Sequence, residues 1–435
     1  MKMIDLIHKT HSKQPLSKEE FRFLVTSFTE DKIPDYQMAA WLMAVCFQGL
    51  TSEETANLTI AMAESGKTLR WEEFPTPPLD KHSTGGVGDA TTLLLLPSLA
   101  ACDIPAAKMS GRGLGFTGGT LDKLDSIPGF QSILPEEVFK EQLKNHCIAL
   151  TGQSKDLAPA DGKIYALRDV TDTVQSLPLI ASSIMSKKIA AGAHQIVLDV
   201  KVGSGGFMKT QAEGEKLASL MVQIGKLASR KVVAYLTSME QPLGNYVGNG
   251  LEVYEAIQLL KEKDLSSDLA QVTLTLAGEM IFLAGKSANP AAGIKLASQA
   301  WQSGLALNKL ENWISLQKGD PSVVRSPEKL LGETQQKEIL ATQSGYVSSF
   351  LVEELGILAR DLGAGRTKKE DSIDPYAGFI LHKRIGEPID LGEKWITLHS
   401  SKKITNPLIE AAHSLVKISQ TIPRIPQLIL KRIDN

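Results

Sequence analysis

The chain has 435 residues, with 47 Lys and Arg against 49 Asp and Glu, a formal net charge of -2. Apolar residues make up 43% and charged residues 22%, ordinary for a folded soluble chain, which excludes a disordered, collagen-like or coiled-coil chain. Near-neutrality offers no overall field for nucleic acid or an anionic membrane, and at roughly 100–200 residues per domain the length predicts two to three domains. Cys46, Cys102 and Cys147 lie far apart and form no CxxC pair. Neither a disulfide framework nor a zinc knuckle is expected, and a reducing cytoplasm is the expected setting. The start, Met1-Lys2-Met3-Ile4-Asp5, has no signal-peptide pattern. The longest notable uncharged run, Ala90 to Cys102, contains Pro97 and is too short to span a bilayer.

The first ~70 residues read as helices, since apolar periodicity recurs and no strand signal interrupts it. Ser17-Lys18-Glu19-Glu20 and Thr51-Ser52-Glu53-Glu54 are helix starts of the capping-box kind. Glu73-Phe74-Pro75-Thr76-Pro77-Pro78 is a rigid connector. Beyond it the texture becomes strand and helix in alternation. Ile196–Val202 and Lys231–Leu236 read as strands around a helix from Ala212 to Ser229, which predicts a βαβ unit and a largely parallel sheet. Residues 158–191 read as helical again and are assigned to the N-terminal helical unit. Near Thr342 the pattern changes once more: Tyr346–Phe350 and Trp395–Leu398 read as strands of an α+β unit. The basic tail from Lys417 to Arg432 reads as solvated surface. The expected fold class is α/β. A small all-helical domain (1–70 and 158–191) joins a larger α/β domain with a mostly parallel central sheet (72–157 and 192–335), followed by a C-terminal α+β subdomain (340–435).

Three segments carry chemistry. In Asp80-Lys81-His82-Ser83-Thr84-Gly85-Gly86-Val87-Gly88-Asp89-Ala90-Thr91-Thr92, glycines allow positive φ and close approach, and consecutive N–H groups can cradle an anion. Thr91 and Thr92 are expected to open a helix, whose N-terminus also favours an anion. Lys81 adds charge, and Ser83 and Thr92 add hydroxyls. The spacing is neither a Walker loop nor a dinucleotide fingerprint. In Lys108-Met109-Ser110 through Thr120, five glycines fall between the two bracketing hydroxyls, a density no core element tolerates, so the stretch reads as a shaped loop. Two such loops can enclose one tetrahedral anion, which points to free phosphate. In the third segment Arg168 precedes Ser183 and Lys187, which share a helix face at i, i+4. This is a donor-rich group suited to carbonyl oxygens or a developing anion.

Together these segments resemble the thymidine/pyrimidine-nucleoside phosphorylase family over nearly the whole length. The most specific stretches are KHSTGGVGD at 81–89, the glycine-rich run at 110–124, YALRDVT at 165–171, SKK at 186–188 and DVKVGSGGFM at 199–208. The resemblance implies phosphorolysis of uridine, thymidine and deoxyuridine, with phosphate as co-substrate and no organic cofactor, by a homodimer whose cleft closes on substrate. It implies phosphate binding by Lys81, Ser83, Thr92, Lys108, Met109, Ser110 and Thr120. Arg168, Ser183 and Lys187 would hold the pyrimidine between Leu114 and Phe207, with His82, Arg168 and Lys187 serving catalysis and His82 donating toward the base O2. It further implies a potassium-like cation at Gly88, Ala90, Leu243, Tyr246 and Glu255. Lys at position 108 goes with broad pyrimidine specificity, an apolar residue there with thymidine alone. Three positions depart from the family pattern: Phe116 stands where a histidine is usual, Ala90 where a hydroxyl is usual, and Tyr246 where a small residue is usual. The alternatives are a thymidine-restricted phosphorylase, a catalytically silent phosphate- or nucleoside-binding dimer, and a phosphoribosyltransferase of the same architecture resembling anthranilate phosphoribosyltransferase.

Overall fold

A computed structural model describes residues 1–434 apart from Thr76, Leu114, Thr117, Gln153, Lys155, Thr367, Lys369 and Glu370. Four helices open the chain: α1 (Met3–His11), α2 (Lys18–Thr29), α3 (Asp35–Gln48) and α4 (Ser52–Ala63). Both anticipated capping boxes form: the Ser17 and Thr51 hydroxyls accept from the Glu20 and Glu54 amides, and each carboxylate accepts from its cap amide in return. Then come β1 (Asp80–Ser83), α5 (Thr91–Ala101), β2 (Ala106–Ser110), α6 (Thr120–Leu124), α7 (Glu136–His146) and β3 (Ile148–Gly152). Helices α8 (Pro159–Asp169) and α9 (Leu177–Ala190) follow. Ile164 and Leu179 are buried in one apolar cluster with Phe21, Trp41 and Leu42, so α8 and α9 complete the core of the first four helices.

The βαβ unit is β4 (Gln195–Val202), α10 (Gln211–Leu227) and β5 (Lys231–Ser238). The central sheet runs β1-β4-β5 in parallel. Strands β2 and β3 pair in parallel beside it, linked by a bridge from Leu79 to Ala106. Parallel strands buried on both faces read as continuous apolar runs, as Ile196–Leu198 and Val232–Leu236 do.

The C-terminal part adds β6 (Tyr246–Val247), β7 (Gln335–Leu340), β8 (Gly345–Phe350), β9 (Gly378–Leu381), β10 (Pro388–Ile389), β11 (Lys394–Ser400), β12 (Val416–Ser419) and β13 (Ile429–Ile433). It builds two antiparallel sheets, β10-β8-β12 and β6-β9-β11-β7. The tail corrects the sequence reading. It is not simply solvated surface, because β13 pairs antiparallel with β5 and closes the edge of the central sheet. There Arg432 makes a two-pronged ion pair with the fully buried Glu279, which also accepts from the Tyr235 hydroxyl at 2.6 Å. Among the described residues no helix is long and apolar enough to cross a membrane.

Candidate active site

Strand β1 ends in the glycine turn. Gly85 and Gly88 take φ of 95° and 68°, and a Cβ at Gly86 would lie 2.4 Å from the Met239 methyl. Glycine adopts such backbone at least cost, and any side chain at Gly86 would have to displace the Met239 side chain. The turn leads into the N-terminus of α5, as Thr91 and Thr92 suggested. Lys81 donates to Thr91 Oγ1 at 2.6 Å, and the Ser83 and Thr91 hydroxyls donate to Asp89 at 2.6 and 2.7 Å. Lys108, Met109 and Ser110 lie on β2, so this stretch is the end of a strand before it becomes a loop. Lys81, His82, Ser83, Thr92, Lys108, Met109, Ser110 and Thr120 all line one open cavity of about 340 Å³.

Charge around that cavity is mostly paired. Lys188 lies 2.7 Å from Asp80, Lys201 2.8 Å from Asp199 and Lys123 2.6 Å from Glu252. Lys81 stands 3.6 Å from Asp199. Lys108 differs: its amine donates to the Met109 carbonyl at 2.9 Å and makes no ion pair among the described residues. Burial and the Lys188 charge push its pKa well below the ordinary lysine value. Although burial opposes it, Lys201 and Lys81 hold the Asp89 carboxyl well below the usual range. The Ser110 hydroxyl is buried with no hydrogen-bond partner among the described residues. A lysine without a counter-ion and an unpartnered donor form a subsite complementary to an anion.

Burial, then Lys188 and Lys108, hold the His82 imidazole well below its ordinary pKa. His82 is therefore neutral near pH 7. It can donate a hydrogen bond from a ring N–H but is not an imidazolium acid.

The opposite wall comes from α8 and α9. Arg168, Ser183 and Lys187 line the same cavity. Lys187 donates to Ser183 Oγ at 3.2 Å, as the i, i+4 spacing implied, and pairs with Asp161 at 2.8 Å. Arg168 is buried and donates to the carbonyls of Thr173, Val174 and Leu179, so it also holds the α8–α9 connection in place. Phe207 lines the cavity from the loop after β4. Leu114 lies outside the described residues.

Phe116 is not among the residues lining this cavity. Its ring meets Phe207, lies 5.8 Å from the Lys209 amine and packs near Gly356. Phe116 thus departs from the family pattern at a place that touches the cavity through Phe207.

Two of the residues expected to hold a cation accept hydrogen bonds from the loop around Leu243. The Gly88 carbonyl accepts from the Ala90 and Gly244 amides, and Glu255 accepts from the Asn245 and Tyr246 amides. Ala90 brings no side-chain oxygen. The Arg384 guanidinium donates to the carbonyls of Pro242 and Leu243 and to Asn245 Oδ1, placing a fixed positive charge on the same loop. Gly88, Ala90, Leu243, Tyr246 and Glu255 gather around this loop, where burial pushes the Glu255 carboxyl up to about 7.

Tyr165 and Lys188 also line the cavity, and Asp161 and Asp80 pair with the Lys187 and Lys188 amines, roles the sequence reading did not assign. The sequence signal for Lys188 was its place beside Lys187, and for Asp161 and Tyr165 the i, i+4, i+7 spacing with Arg168. Asp80 opens the first glycine-rich segment, but its pairing with Lys188 is a tertiary contact with no sequence signal.

The family comparisons agree along the chain. Residues 4–66 match the helical bundle domain of the glycosyl transferase family, 76–307 its a/b domain, and 346–419 the pyrimidine nucleoside phosphorylase C-terminal domain. Proteins named pyrimidine-nucleoside phosphorylase from Staphylococcus epidermidis and Geobacillus stearothermophilus are 46% and 45% identical over 435 and 434 residues, covering 100% of both chains. The crystal structure of anthranilate phosphoribosyltransferase from Thermus thermophilus superposes with a TM-score of 0.60 at 20% identity, covering 72% of this chain and 100% of that one. That likeness is one of fold. The chain belongs to the pyrimidine-nucleoside phosphorylase branch of the glycosyl transferase family.

Proposed function

We propose that the protein phosphorolyses pyrimidine nucleosides, uridine as well as thymidine and deoxyuridine, releasing free base and a pentose 1-phosphate in pyrimidine salvage or catabolism. The observation that carries this reading is one cavity with an anion subsite at Lys81, Lys108 and Ser110 on one wall and the Arg168, Ser183 and Lys187 donors on the other. Phosphate held at the first wall attacks C1′ while the base leaves with negative charge toward the second. Arg168 and Lys187 stabilise that charge, and neutral His82 donates an N–H to the base carbonyl. Holding both substrates in one cleft supplies rate through orientation, and closure of the cleft around them excludes water. Lys108 lines the cavity, and a lysine there goes with acceptance of a ribose 2′-hydroxyl, which favours the broad enzyme over a thymidine-restricted one.

Homodimerisation belongs to the same reading. Tyr36 and Phe47 on α3, at i and i+11, are 74% and 79% exposed, with Ile4 of α1 also exposed, an apolar face of the kind that pairs.

Phosphorus NMR of the protein with uridine and phosphate tests the reaction. A new phosphomonoester signal growing with free uracil is the expected result; uracil without it, or neither, contradicts the reading.

A further inference from the structure

Helix α8 carries Asp161, Tyr165 and Arg168 at i, i+4 and i+7, so all three share one face. Tyr165 and Arg168 line the cavity, with the guanidinium 5.7 Å from the Tyr165 ring centre. Asp161 stands one step behind them and is 5% exposed. One of its oxygens takes the Lys187 ammonium at 2.8 Å; the other, Oδ1, is buried and accepts no hydrogen bond among the described residues. Lys187 has four rotatable side-chain bonds, and Asp161 and the Ser183 hydroxyl are what hold its amine in place. Asp161 is also the charge that acts most strongly on Arg168 against the effect of burial.

We propose that Asp161 is a positioning residue for base departure, a shared counter-ion that holds the Lys187 ammonium beside Arg168 where the leaving pyrimidine gains its charge. This rests on the phosphorolytic reading above. A carboxylate in the first turn of α8 also suits the helix N-terminus, so the test must separate a structural from an electrostatic role. A helix start does not require a buried carboxylate against an ammonium: an Asn of the same shape would lose only the favourable charge at the helix N-terminus, which changes stability and not the dependence of rate on the leaving base. What Asn cannot do is anchor an ammonium by charge. The consequence appears only as the base becomes anionic, and it shrinks when the base is a better leaving group.

The experiment compares Asp161→Asn with the parent in single-turnover rates on uridine and on 5-fluorouridine, whose base leaves more readily. The rate on uridine is expected to fall on the order of tenfold, the rate on 5-fluorouridine by clearly less, with the KM for phosphate unchanged. In a Lys187→Gln background the Asp161→Asn change is expected to add little, because the two act as one unit. Equal losses on both nucleosides, an unchanged rate, or full additivity with Lys187→Gln overturns the proposal. Should Asp161→Asn fail to fold, Asp161→Glu, which keeps the charge but displaces it by one methylene, carries the same comparison with the same expected inequality. A parent that releases no base removes the phosphorolytic reading and this proposal together. A parent that releases base while Asp161→Asn matches it removes this proposal alone.

Discussion

Phe116 and Phe207 meet with ring centres 5.7 Å apart and planes tilted by 41°, joining the glycine-rich loop before α6 to the loop after β4. Phe207 lines the cavity while Phe116 stands behind it. Phe116→Ala is therefore expected to raise the nucleoside KM several-fold, consistent with about 0.5–1.5 kcal/mol for an aromatic pair, and to leave the phosphate KM unchanged. Steady-state kinetics with each substrate varied in turn checks this; a raised phosphate KM would return Phe116 to the anion site.

Among the described residues Lys108 has no carboxylate partner, and burial pushes its pKa down. A depressed lysine pKa means that the unfolded chain binds the proton more readily, so the group opposes folding below its unfolded value near 10.4 and the penalty shrinks as pH rises toward it. Lys108→Met is expected to raise the melting temperature at pH 7 by about 1–3 °C, to lose part of that advantage by pH 9, and to raise the phosphate KM. A variant that melts lower at pH 7 contradicts this account.

His82 is held neutral, so nucleoside kcat/KM at saturating phosphate is expected to show no inflection near pH 6.5 that His82→Gln abolishes. His82→Gln lowers the rate across the range with the profile's shape kept. An acid limb at the ordinary histidine pKa, lost in the variant, would show His82 titrating as an acid.

Arg384 already supplies a positive charge to the loop around Leu243. Replacing potassium with tetramethylammonium at constant ionic strength is expected to leave both the melting temperature and the rate unchanged. A potassium-dependent rise in melting temperature would show that the loop opens to a cation.

Arg432 on the last strand neutralises Glu279, which is fully buried. Arg432→Met is expected to cost about 3 kcal/mol, as when one partner of a buried ion pair is removed. Denaturant unfolding measures it; a loss below about 0.5 kcal/mol would mean that the Tyr235 hydroxyl alone satisfies Glu279.

The helical unit, the βαβ order and the glycine turns were legible because periodicity, caps and glycine density are local signals. Ser17 with Glu20 and Thr51 with Glu54 announced helix starts, and Ser183 with Lys187 announced a shared face. Strands β2 and β3 were not legible, since five residues each give too short a pattern, and β2 runs straight into a glycine-rich loop. The last strand was missed for another reason: Lys431 and Arg432 make it look solvated, and only the buried Glu279, 153 residues away in sequence, explains the arginine. The pairing of Lys188 with Asp80 and of Lys187 with Asp161 depends on tertiary contact in the same way. The contact of Phe116 with Phe207 depends on tertiary structure as well, since the two are 91 positions apart.

The most direct measurement is ultraviolet-monitored base release from uridine and from thymidine, each with and without phosphate. The account predicts release from both nucleosides only when phosphate is present. Release that does not require phosphate, or no release from either nucleoside, would contradict it, and release from thymidine alone would contradict the place given to Lys108.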